Sequence, residues 1–174
     1  MNQEKLALFR SLKVLFTRLF KRRVHFSKKY VGKILLTEDG KKFQVIRNLK
    51  VDFKQSQEKS VAIFKVCFKF SGLPLRVNKR LSMIPVPFLI AKPGFCQKIW
   101  TAAEDGYYQG IYQWASEEFA EKYPQSFIFK MMARRSAEGT LSSEVIRNTL
   151  LSEFVQSSII KKRGENHENQ TLSI

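Results

Sequence analysis

The sequence predicts an α+β domain whose antiparallel sheet is covered by helices on one face. Three observations indicate this class. Asp39-Gly40 and Asp105-Gly106 each lie between apolar-rich runs, as in β-hairpins, because glycine adopts positive φ without steric cost. Residues 61–70 alternate apolar and polar side chains, which is typical of a half-buried strand. Residues 116–135 instead repeat apolar side chains at helical spacing.

Composition narrows the class of protein. The chain has 174 residues, 44% of them hydrophobic and 13% aromatic, so it can build a core and is not disordered throughout. Two cysteines and two histidines cannot form a four-ligand zinc cage, and we predict neither a metal nor a cofactor. No apolar segment approaches the roughly 20 residues that span a bilayer. We expect a cytoplasmic protein, with peripheral attachment to a membrane as an alternative.

The net charge of +16 is concentrated near the N-terminus. Residues 1–30 contain nine basic side chains and one acidic one, and we interpret them as a basic helical arm. Its apolar side chains recur every three or four residues, as on one face of an amphipathic helix: Leu8, Phe9, Leu12, Leu15, Phe16 and Leu19. Its candidate anion contacts are Arg10, Lys13, Arg18, Lys21, Arg22 and Arg23.

Three partners fit this predicted helix. An anionic membrane surface would take both the apolar stripe and the basic side chains. Nucleic acid would use the charge but not Phe9, Phe16 and Phe20, so we rank it below the membrane. The third partner is the rest of the chain, or a second copy of it, packed against the stripe.

The remaining elements follow in order along the chain. A hairpin is expected from residues 30–36 and 42–53, then the strand over 61–70, then a short helix over 77–84 that Pro85 and Pro87 stop. A second hairpin joins residues 95–101 to 107–114. Ser116 caps the next helix, which breaks near Pro124 and ends before Gly139. A strand over 140–148 and a helix over 150–160 complete the pattern.

Over residues 61–148 this order is strand, helix, strand, strand, helix, strand. It predicts the ferredoxin-like βαββαβ plan, with the amphipathic helix and the first hairpin as N-terminal additions. We therefore divide the chain into the arm at 1–30, an α+β domain at 31–160 and a polar tail at 161–174. The tail has no apolar period, and we expect it to be disordered.

Three consecutive segments carry a family resemblance. Residues 92–100 read KPGFCQKIW, residues 105–114 read DGYYQGIYQW and residues 116–123 read SEEFAEKY. The pattern PGFxxKxW, then YxGxYxW, then a helix resembles the monooxygenase branch of the dimeric α+β barrel superfamily, over about residues 61–148. The resemblance implies a ferredoxin-like fold, dimerisation through the sheets and a pocket between sheet and helices. In relatives such pockets admit haem or support cofactor-free oxidation of electron-rich aromatics.

One departure from this pattern limits the chemistry. No histidine occurs between residues 26 and 166, which argues against histidine-dependent catalysis and histidine ligation of haem. We therefore predict a small-ligand-binding protein that resembles cofactor-independent monooxygenases, and the sequence leaves open whether it is an enzyme. The alternative is a non-enzymatic basic module that acts at an anionic membrane or on nucleic acid.

The second hairpin provides the candidate pocket. If residues 101–107 form the turn, the residue numbers of cross-strand partners sum to about 208. Trp100 then faces Tyr108, and Lys98 faces Gly110, where the missing side chain leaves room for the lysine. An aromatic or anionic ligand would be held by Lys98, Trp100, Tyr108, Tyr112, Trp114 and Arg76. The alternative is that the aromatic residues only fill the core while Lys98 extends to solvent.

We also predict a homodimer. On the other face of the sheet, Phe95, Ile99 and Ile111 alternate with Gln97, Gln109 and Gln113. A partly polar interface suits that mixed pattern better than water does.

Overall fold

The computed structural model describes residues 24–52, 61–72 and 75–159. The predicted basic helix, including Arg10, Lys13, Arg18, Lys21, Arg22 and Arg23, lies outside the described residues, as does the tail at 161–174.

The described residues form seven strands and five α-helices. The strands are β1 (Val24–Phe26), β2 (Ile34–Leu36), β3 (Lys42–Val51), β4 (Ala62–Lys69), β5 (Phe95–Ala102), β6 (Tyr107–Trp114) and β7 (Ser142–Arg147). The helices are α1 (Leu75–Leu81), α2 (Val86–Ile90), α3 (Glu117–Lys122), α4 (Phe127–Ala133) and α5 (Leu151–Ser158), with a 3₁₀ turn at Tyr123–Gln125.

All strand pairs are antiparallel, and the sheet order is β1–β3–β5–β6–β4–β7, with β2 also paired to β3. Within it, β4, β5, β6 and β7 lie in the order β5–β6–β4–β7, which is the ferredoxin-like arrangement. The predicted fold class is confirmed. Residues 24–26, which the sequence division assigned to the arm, are β1 in this sheet, so residue 30 does not separate the arm from the domain.

The two prolines after α1 begin a helix as well as ending one. Pro85 is the N-cap residue of α2, and Pro87 lies in its first turn. Proline suits that position because the first helical N–H groups have no intrahelical partner and the ring already fixes a helical φ. The expectation of one helix stopped by both prolines was therefore incomplete.

The break predicted near Pro124 divides the next helix in two. Ser116 caps α3 by accepting a hydrogen bond from the N–H of Phe119. After the 3₁₀ turn, Ser126 caps α4 in the same way through the N–H of Phe129. Two caps ten residues apart let the chain bend over the sheet while both helix starts keep their N–H groups bonded.

Each face of the sheet has its own core. Helices α1–α4 cover a largely aromatic cluster that includes Phe64, Trp100, Tyr112, Trp114, Tyr123 and Phe129. The opposite face carries an aliphatic cluster under α5 and β2, with Leu35, Val45, Ile63, Ile99, Ile111, Leu151 and Val155.

This division corrects the pattern behind the predicted dimer face. A β-bulge between Phe95 and Gln97 adds one residue at Cys96, and the side-chain alternation changes phase there. Phe95 therefore lies in the aromatic core, on the helix-covered face. Ile99 and Ile111 do lie on the opposite face, but Leu151 and Val155 of the same chain already pack against them.

Candidate ligand-binding cavity

The predicted pocket residues of strands β5 and β6 lie on the aromatic face of the sheet, which helices α1–α4 cover. Lys98 pairs with Tyr112, Trp100 with Gly110 and Ala102 with Tyr108, so the cross-strand partners sum to 210 rather than 208. The ladder runs further than expected because the N–H of Ala103 still bonds the carbonyl of Tyr107, at 2.8 Å. A slip of two residues leaves every side chain on its predicted face.

The shifted register changes the role of Gly110, which faces Trp100 and not Lys98. A Cβ atom at Gly110 would lie 2.8 Å from Cε2 of Tyr112, which is too close for two carbon atoms. The ring of Tyr112 therefore leans back over Gly110. The glycine makes room for an aromatic ring, and the expectation that it makes room for the lysine was wrong.

A cavity of about 50 Å³ lies between this face of the sheet and helices α1, α2 and α4. Its walls include Lys98, Trp100, Tyr108 and Tyr112 of the predicted set, together with Phe70, Leu89, Met131 and Arg135. It is small beside the roughly 300–1,000 Å³ of typical ligand pockets. A ligand larger than a few water molecules would need the walls to move apart.

Lys98 is the more deeply buried of the two cations that line this cavity, and only 8% of the residue is exposed. Its Nζ lies 4.3 Å from the ring centroid of Trp100 and 4.5 Å from that of Tyr112. No carboxylate among the described residues lies within 4 Å of it. The buried ammonium is thus stabilised by two aromatic faces, where buried cations usually have a paired anion.

Two hydrogen-bond donors in the same cavity wall as Lys98 have no partner among the described residues. They are Trp100 Nε1 and the Tyr108 hydroxyl, and both residues line the cavity. Burying a polar group without a partner costs about 1–3 kcal/mol, so native structures contain few such groups. One ammonium and two free donors favour a ligand with an electron-rich oxygen.

Burial also affects the tyrosines of this face. It raises the pKa of Tyr108. The pKa of Tyr123 is well above its ordinary value, chiefly because of burial and then because of the neighbouring Tyr112, to which its hydroxyl is hydrogen-bonded. Both phenols are therefore neutral near pH 7, and the Tyr108 hydroxyl, which has no partner among the described residues, remains available as a donor.

Two predicted pocket residues have different placements. Trp114 is 1% exposed and packs against the rings of Phe95, at 5.7 Å, and Tyr123, at 5.1 Å, behind the cavity wall rather than on it. Arg76 belongs to α1, but its side chain lies outside the described part of the structure.

Arg135 lines the cavity, and the sequence reasoning missed it. Its carbonyl accepts a hydrogen bond from the N–H of Ser71, at 3.0 Å, and a bridge between Phe70 and Ser136 continues this contact. The guanidinium consequently lies over the ring of Phe70. In the sequence Arg135 is one of several basic residues at the end of a helix, and only the tertiary pairing with the end of β4 separates it from the others.

A second, larger hollow of about 430 Å³ lies near β1 and the start of α5. Polar residues line most of it, and the described ones are paired where they are buried. Asn48 donates to the carbonyl of Lys29, at 2.9 Å, and accepts from Gln97, at 2.8 Å, while His25 lies 3.8 Å from Asp52. Neither of the two donors left without a partner in the smaller cavity lines it, nor does Trp114 Nε1, the third such buried donor among the described residues, so the smaller cavity is the better candidate site.

No protein-family model and no curated protein matches the chain. Among solved structures it is similar to an anthrone oxidase-like protein, with 18% identity, 62% of this chain covered and a TM-score of 0.45. The chain spans about half of that protein, 54% of its length. It is also similar to a heme-degrading enzyme from Listeria monocytogenes, with 14% identity, 70% of this chain and 96% of the other covered, and a TM-score of 0.46.

A further similar structure is a ferredoxin-fold protein related to antibiotic biosynthesis monooxygenases, also from Listeria monocytogenes. It shows 13% identity, covers 70% of this chain and 90% of its own, and has a TM-score of 0.46. Among the described helices, none is both long and apolar enough to cross a bilayer.

Proposed function

We propose that the chain binds a small aromatic ligand with an anionic or phenolic oxygen in the cavity beside Lys98. The observation that carries the proposal is a buried ammonium with no carboxylate partner among the described residues, in a cavity that is also lined by two donors unpaired among those residues, Trp100 Nε1 and the Tyr108 hydroxyl. Ligand oxygens at these groups gain a charge-assisted hydrogen bond to Lys98 and satisfy donors that are otherwise left unpaired.

The walls favour a flat apolar body behind that oxygen. Trp100, Tyr108, Tyr112 and Phe70 present rings to the cavity, and aromatic pairs gain about 0.5–1.5 kcal/mol beyond the burial of their area. Met131 and Met132 also line it. Their side chains are unbranched and adapt to several shapes, which is how a cavity of about 50 Å³ can open for a larger ligand.

The enzymatic form of the proposal is oxidation of the bound ligand by dioxygen without a cofactor. In a balanced step an activated aromatic methylene becomes a carbonyl, one oxygen atom enters the product and the other leaves as water with the two hydrogens. Lys98 would favour the electron-rich anion of the ligand. Among the described lining residues there is no Asp, Glu or His, and Lys98 as an ammonium has no lone pair to accept a proton, so the proton must leave to solvent.

Calorimetric titration with 2-naphthol and with 6-hydroxy-2-naphthoate tests binding, and Lys98→Met is the informative variant. We expect saturable binding of both probes to the native chain and at least tenfold weaker binding to the variant, since a hydrogen bond to a charged group contributes about 1.5–3 kcal/mol. Lys130→Met is the control, because Lys130 is an exposed lysine of α4 outside the cavity. Absence of binding to the native chain, or equal binding to Lys98→Met, overturns the proposal.

A second function is proposed for the basic N-terminal segment, supported by its sequence pattern alone. We propose that it attaches the chain to anionic membrane surfaces through Phe9 and Phe16 and the flanking basic residues. Flotation with anionic vesicles should be lost on Phe9→Glu with Phe16→Glu. Binding to nucleic acid that high salt nearly abolishes would instead favour the nucleic-acid alternative.

The homodimer remains a proposal, and its sheet interface must account for α5, which already covers Ile99 and Ile111. Sedimentation velocity at micromolar concentration decides between one copy and two.

A further inference from the structure

A second cation, Arg135, lines the cavity. It lies over Phe70, whose ring contacts Tyr108, whereas Lys98 pairs with Tyr112 four residues further along β6. Arg135 lies directly after α4, and the two basic residues face a lining that, among the described residues, includes no Asp or Glu. An apolar cavity with two positive charges and no negative one is electrostatically unfavourable when empty. The missing negative charge is therefore a property that the ligand can supply.

The guanidinium of Arg135 is held in place, and the described residues leave most of its donors unused. It stacks on the ring of Phe70, 5.0 Å from the centroid, and its Nη2 donates to Oδ1 of Asn78 at 3.2 Å. A guanidinium has five N–H donors in a rigid fork, and the bond to Asn78 uses one of them. Stacking and this bond fix the plane of the fork, which leaves it ready for a planar anion.

Other cations of the described chain show the contrast. Lys41 is paired with Asp105, Lys65 with Glu144, and Arg147 with Glu117 and Glu121, all at the surface. Arg135 is only half-buried but is partnered by a neutral amide and an aromatic ring. Charge compensation is thus provided where the solvent already screens the charge, and is missing where a ligand would enter.

We propose that Arg135 recognises an acidic group at one end of the ligand, where the ring of Tyr108 also contacts Phe70, while Lys98 and Trp100 hold an oxygen at the other. This deepens the proposed function and rests on it. The ligand class is then an oxygenated aromatic acid, such as a hydroxylated aromatic carboxylate, rather than a neutral phenol. Arg135 acts as a specificity-determining residue, because it separates ligands that share a ring system but differ in the acid.

The test compares two probes that differ only by a carboxylate, 6-hydroxy-2-naphthoate and 2-naphthol, titrated by calorimetry. The native chain should bind the acid more tightly than the phenol. Arg135→Gln should weaken binding of the acid about ten- to a hundredfold and binding of the phenol less than threefold, as expected for loss of one charged hydrogen-bonding partner. Arg134→Gln is the matched control, because Arg134 is the exposed neighbour outside the cavity and makes the same change of charge.

A second variant separates charge from packing. Asn78→Asp nearly preserves the size of the side chain and leaves Arg135 over Phe70, but it places a carboxylate where Oδ1 now lies, 3.2 Å from the guanidinium. This internal anion should compete with the acid of the ligand and remove its advantage over 2-naphthol. A thermal melt of each variant records whether the fold is kept.

The outcomes are distinct. The proposal is supported if both Arg135→Gln and Asn78→Asp weaken binding of 6-hydroxy-2-naphthoate more than binding of 2-naphthol. Equal weakening of the two probes by Arg135→Gln, or an unchanged preference for the acid in either variant, overturns it while the proposed function at Lys98 stands. Failure of the native chain to bind either probe overturns both.

Discussion

The two faces of the sheet treat their polar groups differently. On the aliphatic face under α5, Gln113 accepts a hydrogen bond from the N–H of Leu151 at 3.0 Å, and Lys65 is paired with Glu144. On the aromatic face under α1–α4, Lys98 has only ring contacts. All three buried donors without a partner among the described residues lie on this face, in Trp100, Tyr108 and Trp114.

This difference separates structure from function. Native cores pair nearly all their buried polar groups, and exceptions concentrate where a ligand or a reaction requires them. The aliphatic face follows that rule and serves stability. The aromatic face violates it at three donors, two of which line one small cavity, and the variants below are expected to affect the two faces differently.

The largest expected effect comes from one substitution made on both faces. Leu151 and Leu89 are each 1% exposed, Leu151 in α5 and Leu89 in the cavity wall of α2. Truncation of a buried leucine to alanine costs about 2–5 kcal/mol, and less where the site can collapse. We expect Leu151→Ala to approach the upper end and Leu89→Ala the lower end, measured by urea unfolding. Equal losses would show that the two faces are packed alike.

A smaller pair of effects should have opposite signs. Lys98→Met removes the uncompensated buried charge and should stabilise the fold by about 1 kcal/mol while ligand binding is lost. Gln113→Met leaves the N–H of Leu151 without its partner and should destabilise by about 1 kcal/mol. Thermal melts check both. Destabilisation by Lys98→Met would mean that its contacts with Trp100 and Tyr112 serve structure rather than a ligand.

These faces also show how far the sequence could be read. The fold followed from local signals, since turns at Gly40 and Gly106, the Ser116 cap and the alternation of β4 are properties of a few adjacent residues. The cavity residues of β5 and β6 followed from strand alternation, which a register slip of two residues does not alter. Arg135 could not be found, because its neighbours Phe70 and Asn78 are far from it in the chain and are joined to it only by tertiary packing.

Two details of the chain explain the other errors. The bulge at Cys96 moved Phe95 to the aromatic face, and Pro93-Gly94 just before it indicates the start of the strand rather than a bulge. Gly110 was assigned to the wrong neighbour because the predicted register was off by two residues, and its close approach to Tyr112 depends on a rotamer that strand pairing alone does not specify.

The buried tyrosines of the aromatic face should also make the free energy of unfolding decrease at alkaline pH. The pKa of Tyr123 is raised in the folded state by burial, so the folded chain holds this proton more tightly than the unfolded chain. Stability is then unaffected below the ordinary tyrosine pKa of about 10 and falls as the pH rises above it. Tyr123→Phe should flatten this fall, and Tyr108→Phe should flatten it less. Urea unfolding from pH 8 to 11 measures the slopes, and unchanged slopes in Tyr123→Phe would contradict the assignment.

The smallest effect is expected from the lysine of the aliphatic face. Lys65 is paired with Glu144 across β4 and β7, and its ammonium lies 5.8 Å from the ring centroid of Phe154. Because the pair is partly exposed, at 23% and 52% of the two side chains, solvent screens it and it contributes less than about 1 kcal/mol. Lys65→Met should therefore change the thermal midpoint slightly and leave the titration with 6-hydroxy-2-naphthoate unchanged. It is the matched counterpart of Lys98→Met, with the same residue types on the opposite face. If Lys65→Met weakened the probe as much as Lys98→Met does, loss of positive charge anywhere on the sheet would explain both results, and the functional contrast between the two faces would be wrong.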